Sequence, residues 1–118
     1  MKIQFDTPLT GVDQNGAPVT LTQAEIASLS YLVLFDTVNP PLKKYPVPAS
    51  NVTAAATNAN GSKRVSVTDT DLGVTIVDGT QYYFEIQDLL GTQISPPTAV
   101  IPFERIVTPG AVQNPTVS

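Results

Sequence analysis

The chain has 118 residues, 42% of them hydrophobic, and a formal net charge of −4 from ten acidic and six basic side chains. That length suits one domain with a core large enough to stand without staples, and the negative balance speaks against nucleic acid and anionic membrane as partners, because both need a positive patch. Cysteine and histidine are absent, which excludes disulfides, thiolate metal sites, cysteine nucleophiles, histidine-based triads and the commonest general base.

Eleven prolines and seven glycines punctuate the chain, a spacing that predicts short strands packed as a sandwich or barrel. Met1, Ile3 and Phe5 alternate with Lys2, Gln4 and Asp6 and predict a half-buried strand ended by Pro8. With one positive charge and no apolar run, this start does not read as a signal peptide. Either the chain works without Sec export, or a signal has been removed and a Met added. Gly11 to Pro18, around Asp13-Gln14-Asn15-Gly16, reads as a turn-rich loop. Thr22 to Ser28 suits a short helical turn, with Thr22 as N-cap and Glu25 three residues on, and suits a loop equally.

Tyr31 to Phe35 is the most hydrophobic strand, far short of a membrane span. Tyr45 to Val47 reads as a short edge strand blunted by Pro46 and Pro48. Val52 to Ala56 and Arg64 to Thr68 flank Asn58-Ala59-Asn60-Gly61 and predict a hairpin, followed by a turn at Asp69-Thr70-Asp71. Val74 to Ile76 leads to the Asp78-Gly79 turn, then a strand with alternating Tyr82, Phe84 and Ile86, a turn at Gly91 and a last strand over Ala99 to Phe103. Residues 1–107 are read as the sandwich. Thr108 to Ser118, with two prolines, one glycine and little apolar area, is read as a flexible tail.

In this order the chain resembles bacterial fibronectin type III domains from Met1 to Pro102. Phe5-Asp6-Thr7-Pro8 stands where the family carries an aromatic residue, usually Trp, followed by proline. Asp13 to Pro18 looks like the family's Asp/Gly/Pro-rich loop. Tyr31, Val33 and Phe35 match its third-strand pattern, and Tyr82, three residues after Gly79 with Ile76 before the turn, matches its tyrosine corner. Gly91 and Ser95 follow as the family's Gly and Ser do. The resemblance implies an all-β, immunoglobulin-like sandwich of about seven short antiparallel strands. It also implies a core containing Phe5, Tyr31, Val33, Phe35, Ile76, Tyr82, Phe84 and Ile86. Two departures stand out. Phe replaces Trp, and Met1 falls at the start of the family's second strand, so the first strand is missing or donated. The backbone from Met1 to Phe5 would then lie open, which makes Met1 and Ile3 interface candidates. A neighbouring chain, the Thr108–Ser118 tail or a shorter sheet would account for it.

Asp69, Asp71 and Asp78 have the oxygen chemistry for calcium, but aspartates at turns more often bond their own backbone, and the same holds for Asp13 and Asn15. Glu85 and Glu104 are the strand carboxylates, and nothing pairs them for acid–base work. The expectation is no enzymatic activity, no cofactor and no metal. With Tyr31, Val33 and Phe35 inward, period two puts Leu32 and Leu34 outside, beside Tyr83. These three form an apolar patch unless a loop such as Pro40 to Tyr45 covers it. The reading is a structural, protein-binding module that self-associates or binds a virion lattice: a phage capsid decoration, head fibre or minor structural protein. The alternative is an accessory or carbohydrate-binding module of a secreted bacterial hydrolase or adhesin, using Tyr31, Phe35, Tyr45 and Tyr83 as aromatic contacts.

Overall fold

The computed structural model describes residues 1–107 and 109–117. Apolar and polar residues alternate in β1 (Lys2–Asp6), and Ile3 turns inward to the core. A short hairpin follows, β2 (Thr10–Val12) and β3 (Pro18–Thr20). Next come α1 (Gln23–Ser28), β4 (Ser30–Asp36), β5 (Lys44–Pro46), α2 (Ala49–Thr53), β6 (Ala56–Thr57) and β7 (Lys63–Thr68). The chain then runs through the single turn α3 (Asp69–Leu72), the long strand β8 (Gln81–Leu90), β9 (Gln93–Ile94) and β10 (Ile101–Glu104).

The described strands form small antiparallel sheets in an all-β, sandwich-like fold. One sheet has the order β1-β7-β6 and the other β10-β8-β4-β5, with β9 also paired to β8. Their inner faces supply one core: Ile3, Val65 and Val67 from the first sheet, and Tyr31, Val33, Phe35, Tyr82 and Ile86 from the second. Ile76 joins that core from the loop before β8, while Phe5 and Phe84 pack against it half-buried. The two layers meet where the rings of Phe5 and Tyr31 lie 4.9 Å apart, and Phe35 stacks on Tyr82 at the same distance. Among the described residues no helix is long and apolar enough to cross a membrane.

The helical segments show how local chemistry sets the boundaries. Thr22 accepts the Glu25 N–H while the Glu25 carboxylate accepts the Thr22 N–H, so the helical option at this site is realised as a capping box. The same device recurs at α3. Thr68 and Asp71 cap each other, and Gly73 ends the turn in the left-handed conformation at φ 71°. Gly91, at φ 60°, closes the tight turn between β8 and β9.

Several expectations need correction. Gly11 to Pro18 is not simply loop, since its ends pair as the β2–β3 hairpin. Of the strand expected over Val52 to Ala56, Val52 and Thr53 instead end α2, Ala54 and Ala55 are turn and coil, and only Ala56, with Thr57, pairs to β7. Alanines pack poorly on a pleated sheet, and the single large residue, Val52, reaches the core from a helical turn. Asp69 to Asp71 is a capped helical turn, for which Thr68-x-x-Asp71 was the available signal. Of the tail expected over Thr108 to Ser118, residues 109–117 are exposed and lack strand or helix; Thr108 and Ser118 lie outside the described residues.

Candidate functional site

The titratable side chains act mainly as local structural clips. Asp13 accepts the Asn15 and Ala17 N–H groups, the self-bonded turn that its sequence position favours. Asp71 accepts the Thr68 N–H and the Asn51 amide, which hold its carboxyl below the usual range. The Thr37 N–H, and more weakly that of Leu42, does the same for Asp36. Asp69 pairs with the Met1 ammonium at 3.1 Å, and that hydrogen bond lowers its carboxyl too. Asp78 pairs with Arg105. The three aspartates weighed for calcium therefore each have another partner.

These depressed carboxyls carry a sign. A carboxyl lowered on folding adds stability that is fully present above its unfolded value of about 3.9 and is lost as pH falls through the folded value. Urea midpoints should therefore fall below about pH 4, and Asp71→Asn should flatten that fall. An unchanged slope in the variant would show that Asp71 contributes nothing to it.

Tyr82 sits at the start of β8 with its ring in the core, and its hydroxyl accepts the Val77 N–H at 3.0 Å. This bond ties the loop before β8 to the strand. Tyr82→Phe should cost about 1 kcal/mol, the usual net value of one hydrogen bond, measured by chemical denaturation. No loss would mean that water replaces the hydroxyl.

The outer face of the larger sheet carries Leu32, Leu34 and Tyr83, in the register expected. The expected open patch does not form. Leu34 is only 8% exposed, between Glu85 on β8 and Lys44 on β5, while Leu32 and Tyr83 are half-buried. Pro41 in the preceding loop is itself buried. Ile3 also needs correction as an interface candidate, since its side chain is 3% exposed and belongs to the core. Met1 is half-buried against that core. Of the aromatic residues considered for glycan contact, Tyr31 and Phe35 are buried inward and Tyr45 lies opposite Val33 on the same inner side. Tyr83 is on the opposite face of the sheet. The four therefore form no common exposed row.

Sheet edges are the more telling surfaces. Thr7 N–H donates to Lys63 O at 2.9 Å, and Asp69 N–H donates to Met1 O. In the β1–β7 register, odd residues of β1 thus bond β7. Lys2, Gln4 and Asp6 point their N–H and C=O groups the other way. All three are exposed, and no described residue pairs with those groups. The open run expected from Met1 to Phe5 is thus half of what the sequence implied, and it extends to Asp6.

The edges of the larger sheet and the far side of β7 differ from this one. The far side of β7 is taken by β6 and by the Asn51 amide, which donates to Ser66 O. On β5, Lys43 and Val47 bond β4, so Pro46 faces out with no donor. On β10, the bonding of Ile86 to Thr98 fixes the phase, and Pro102 likewise faces out. The sequence did not indicate one further surface: a groove of about 610 Å³ between the β2–β3 hairpin and the β8–β9 turn, with Val12, Val19, Leu90 and Ile94 in its lining. Neither family models, nor curated proteins, nor solved structures gave a match to this chain.

Proposed function

We propose that this chain is a non-enzymatic, fibronectin type III-like protein-binding module that works in a multi-copy assembly, as a phage virion component such as a capsid decoration, head fibre or minor structural protein. The observation that carries the reading is the arm beyond β10. The radius of gyration is 18.5 Å and the long axis 77 Å, against about 13.5 Å for the radius of a compact chain of this length. Ile106 and Val107 along the arm are largely exposed, as are Val112 and Val117. Apolar residues held in water on a projecting arm suit contact with another protein. In a lattice, many such contacts act together, so each needs only modest affinity.

The family part of the proposal draws on the inward Tyr31, Val33 and Phe35 and on the Val77–Tyr82 bond, and the virion part on analogy with virion proteins built from such sandwiches. An accessory or carbohydrate-binding module has less support, because its four aromatic candidates share no exposed face.

The test is quantitative mass spectrometry of density-purified particles released by cells carrying the gene. The chain should band with the particles in many copies per particle. Its absence from every particle fraction, with the protein present in the lysate, would sink the virion reading.

A further inference from the structure

We infer that the open edge of β1 is a strand-docking site whose occupant is the arm of a second copy, through residues Gly110 to Gln113. The inference rests on the assembly reading above and adds its chemistry.

Both halves of the contact are present on one chain. The acceptor is the outer edge of β1, with the N–H and C=O groups of Lys2, Gln4 and Asp6 directed to solvent. Edges of this kind take up an extended segment as an extra strand. The larger sheet offers no such edge, because both of its outer strands turn a proline outward, and the far side of β7 is occupied. The donor is the arm. Its stretch between Pro109 and Pro115 has an N–H at every residue, so it can pair where the flanking prolines cannot. It has no charged side chain, so it meets Lys2 and Asp6 without repulsion.

Period two sets the register. Residues bonded to Gln4 and its even-numbered neighbours turn their side chains to solvent, and residues between them turn inward. Ala111 and Gln113 suit the bonded positions. Val112 then faces inward opposite Ile3 or Phe5, against the half-buried sides of Met1 and Phe5. Val112 is 88% exposed in the single chain, so docking buries a residue that nothing else covers. Nine residues from 109 to 117 reach up to about 30 Å when extended. Residues 109–117 are exposed and do not pack on their own body, which favours a neighbour as the recipient.

The test uses full-length chains and sedimentation over a wide concentration range. The parent chain should show mass rising from 12.5 kDa in whole-number multiples. Gln4→Pro removes an outward donor and leaves the β7 pairing in place, so it should be monomeric at every concentration. Val112→Lys should be monomeric as well, with an unchanged melting temperature because its site is exposed. Mixed together, the two should recover a 1:1 complex, since the Gln4→Pro chain still has a competent arm and the Val112→Lys chain a competent edge.

Association that survives both substitutions, or no complex on mixing, overturns the inference. If Gln4→Pro fails to fold, Val112→Lys decides alone, and retained self-association overturns the inference. The virion reading fails separately. A chain abundant in particles but monomeric in solution overturns only the arm-to-edge contact. Recovery of the mixed complex with no chain in particles supports the contact and overturns only the virion assignment.

Discussion

Leu34→Asp is expected to unfold the domain under conditions that the parent chain withstands. Leu34 lies on the outer face of β4, where period two alone predicts solvent, yet it is 8% exposed. Removing a buried leucine side chain forfeits about 1.5–3 kcal/mol of transfer free energy. The aspartate then needs water that the site does not offer, and a buried unpaired carboxylate costs several kcal/mol more. Its cross-strand neighbour is Glu85, itself only 7% exposed, so the new charge also meets one of the same sign. Together these exceed about 4 kcal/mol, a large share of the 5–15 kcal/mol that holds a domain of this size.

Leu32→Asp, two residues away on the same face and opposite Gln87 and Pro46, should cost far less because its site is half-buried and uncharged. Urea denaturation of the two variants side by side gives the answer. Equal, small losses would mean that the face is open and that Leu34 is available to a partner after all.

That contrast shows where the sequence is legible. Alternation in Tyr31 to Phe35 and in Tyr82 to Ile86 identifies the inward residues, because the pleat assigns faces strictly. It does not say what covers the other face, and Leu34 is buried there between its cross-strand neighbours Lys44 and Glu85. Patterns short in sequence and local in mechanism are the easiest to read, and Thr22-x-x-Glu25 offers the helical turn that forms, although a loop suits it equally before folding. The equivalent Thr68-x-x-Asp71 box is just as local, and it marks a capped helical turn where the aspartates alone suggest a plain one. Ala54 and Ala55 stay outside the pairing with β7, which begins only at Ala56, because alanine gives a pleated sheet little to pack. The start of the chain at Met1 points to an open edge on β1 but not to its phase. Which residues of β1 face solvent follows from the bonds at Thr7 and Asp69, and those partners lie far along the chain.

Tyr31→Phe should stabilise the protein, the opposite sign from Tyr82→Phe. Both rings are core residues on the inner face of the same sheet. The Tyr82 hydroxyl has a use, since it accepts the Val77 N–H. The Tyr31 hydroxyl is buried and finds no hydrogen-bond partner among the described residues, in a residue only 2% exposed. Burial, and then the Asp88 carboxylate opposite it on β8, pushes its phenol upward, so it stays neutral across the working pH range. An unsatisfied buried hydroxyl costs about 1–3 kcal/mol in desolvation. Phenylalanine keeps the ring that packs 4.9 Å from Phe5 and removes that cost. The expected gain is therefore about 1–3 kcal/mol in unfolding free energy, read from the urea midpoint at constant slope. A loss instead would show that the hydroxyl is bonded in solution, with its cross-strand partner Asp88 the acceptor to test. The double variant sharpens the reading. The two tyrosines touch different partners, so their effects should add to within about 0.5 kcal/mol if the hydroxyls act independently, and a larger departure would mean that they are coupled through the shared core.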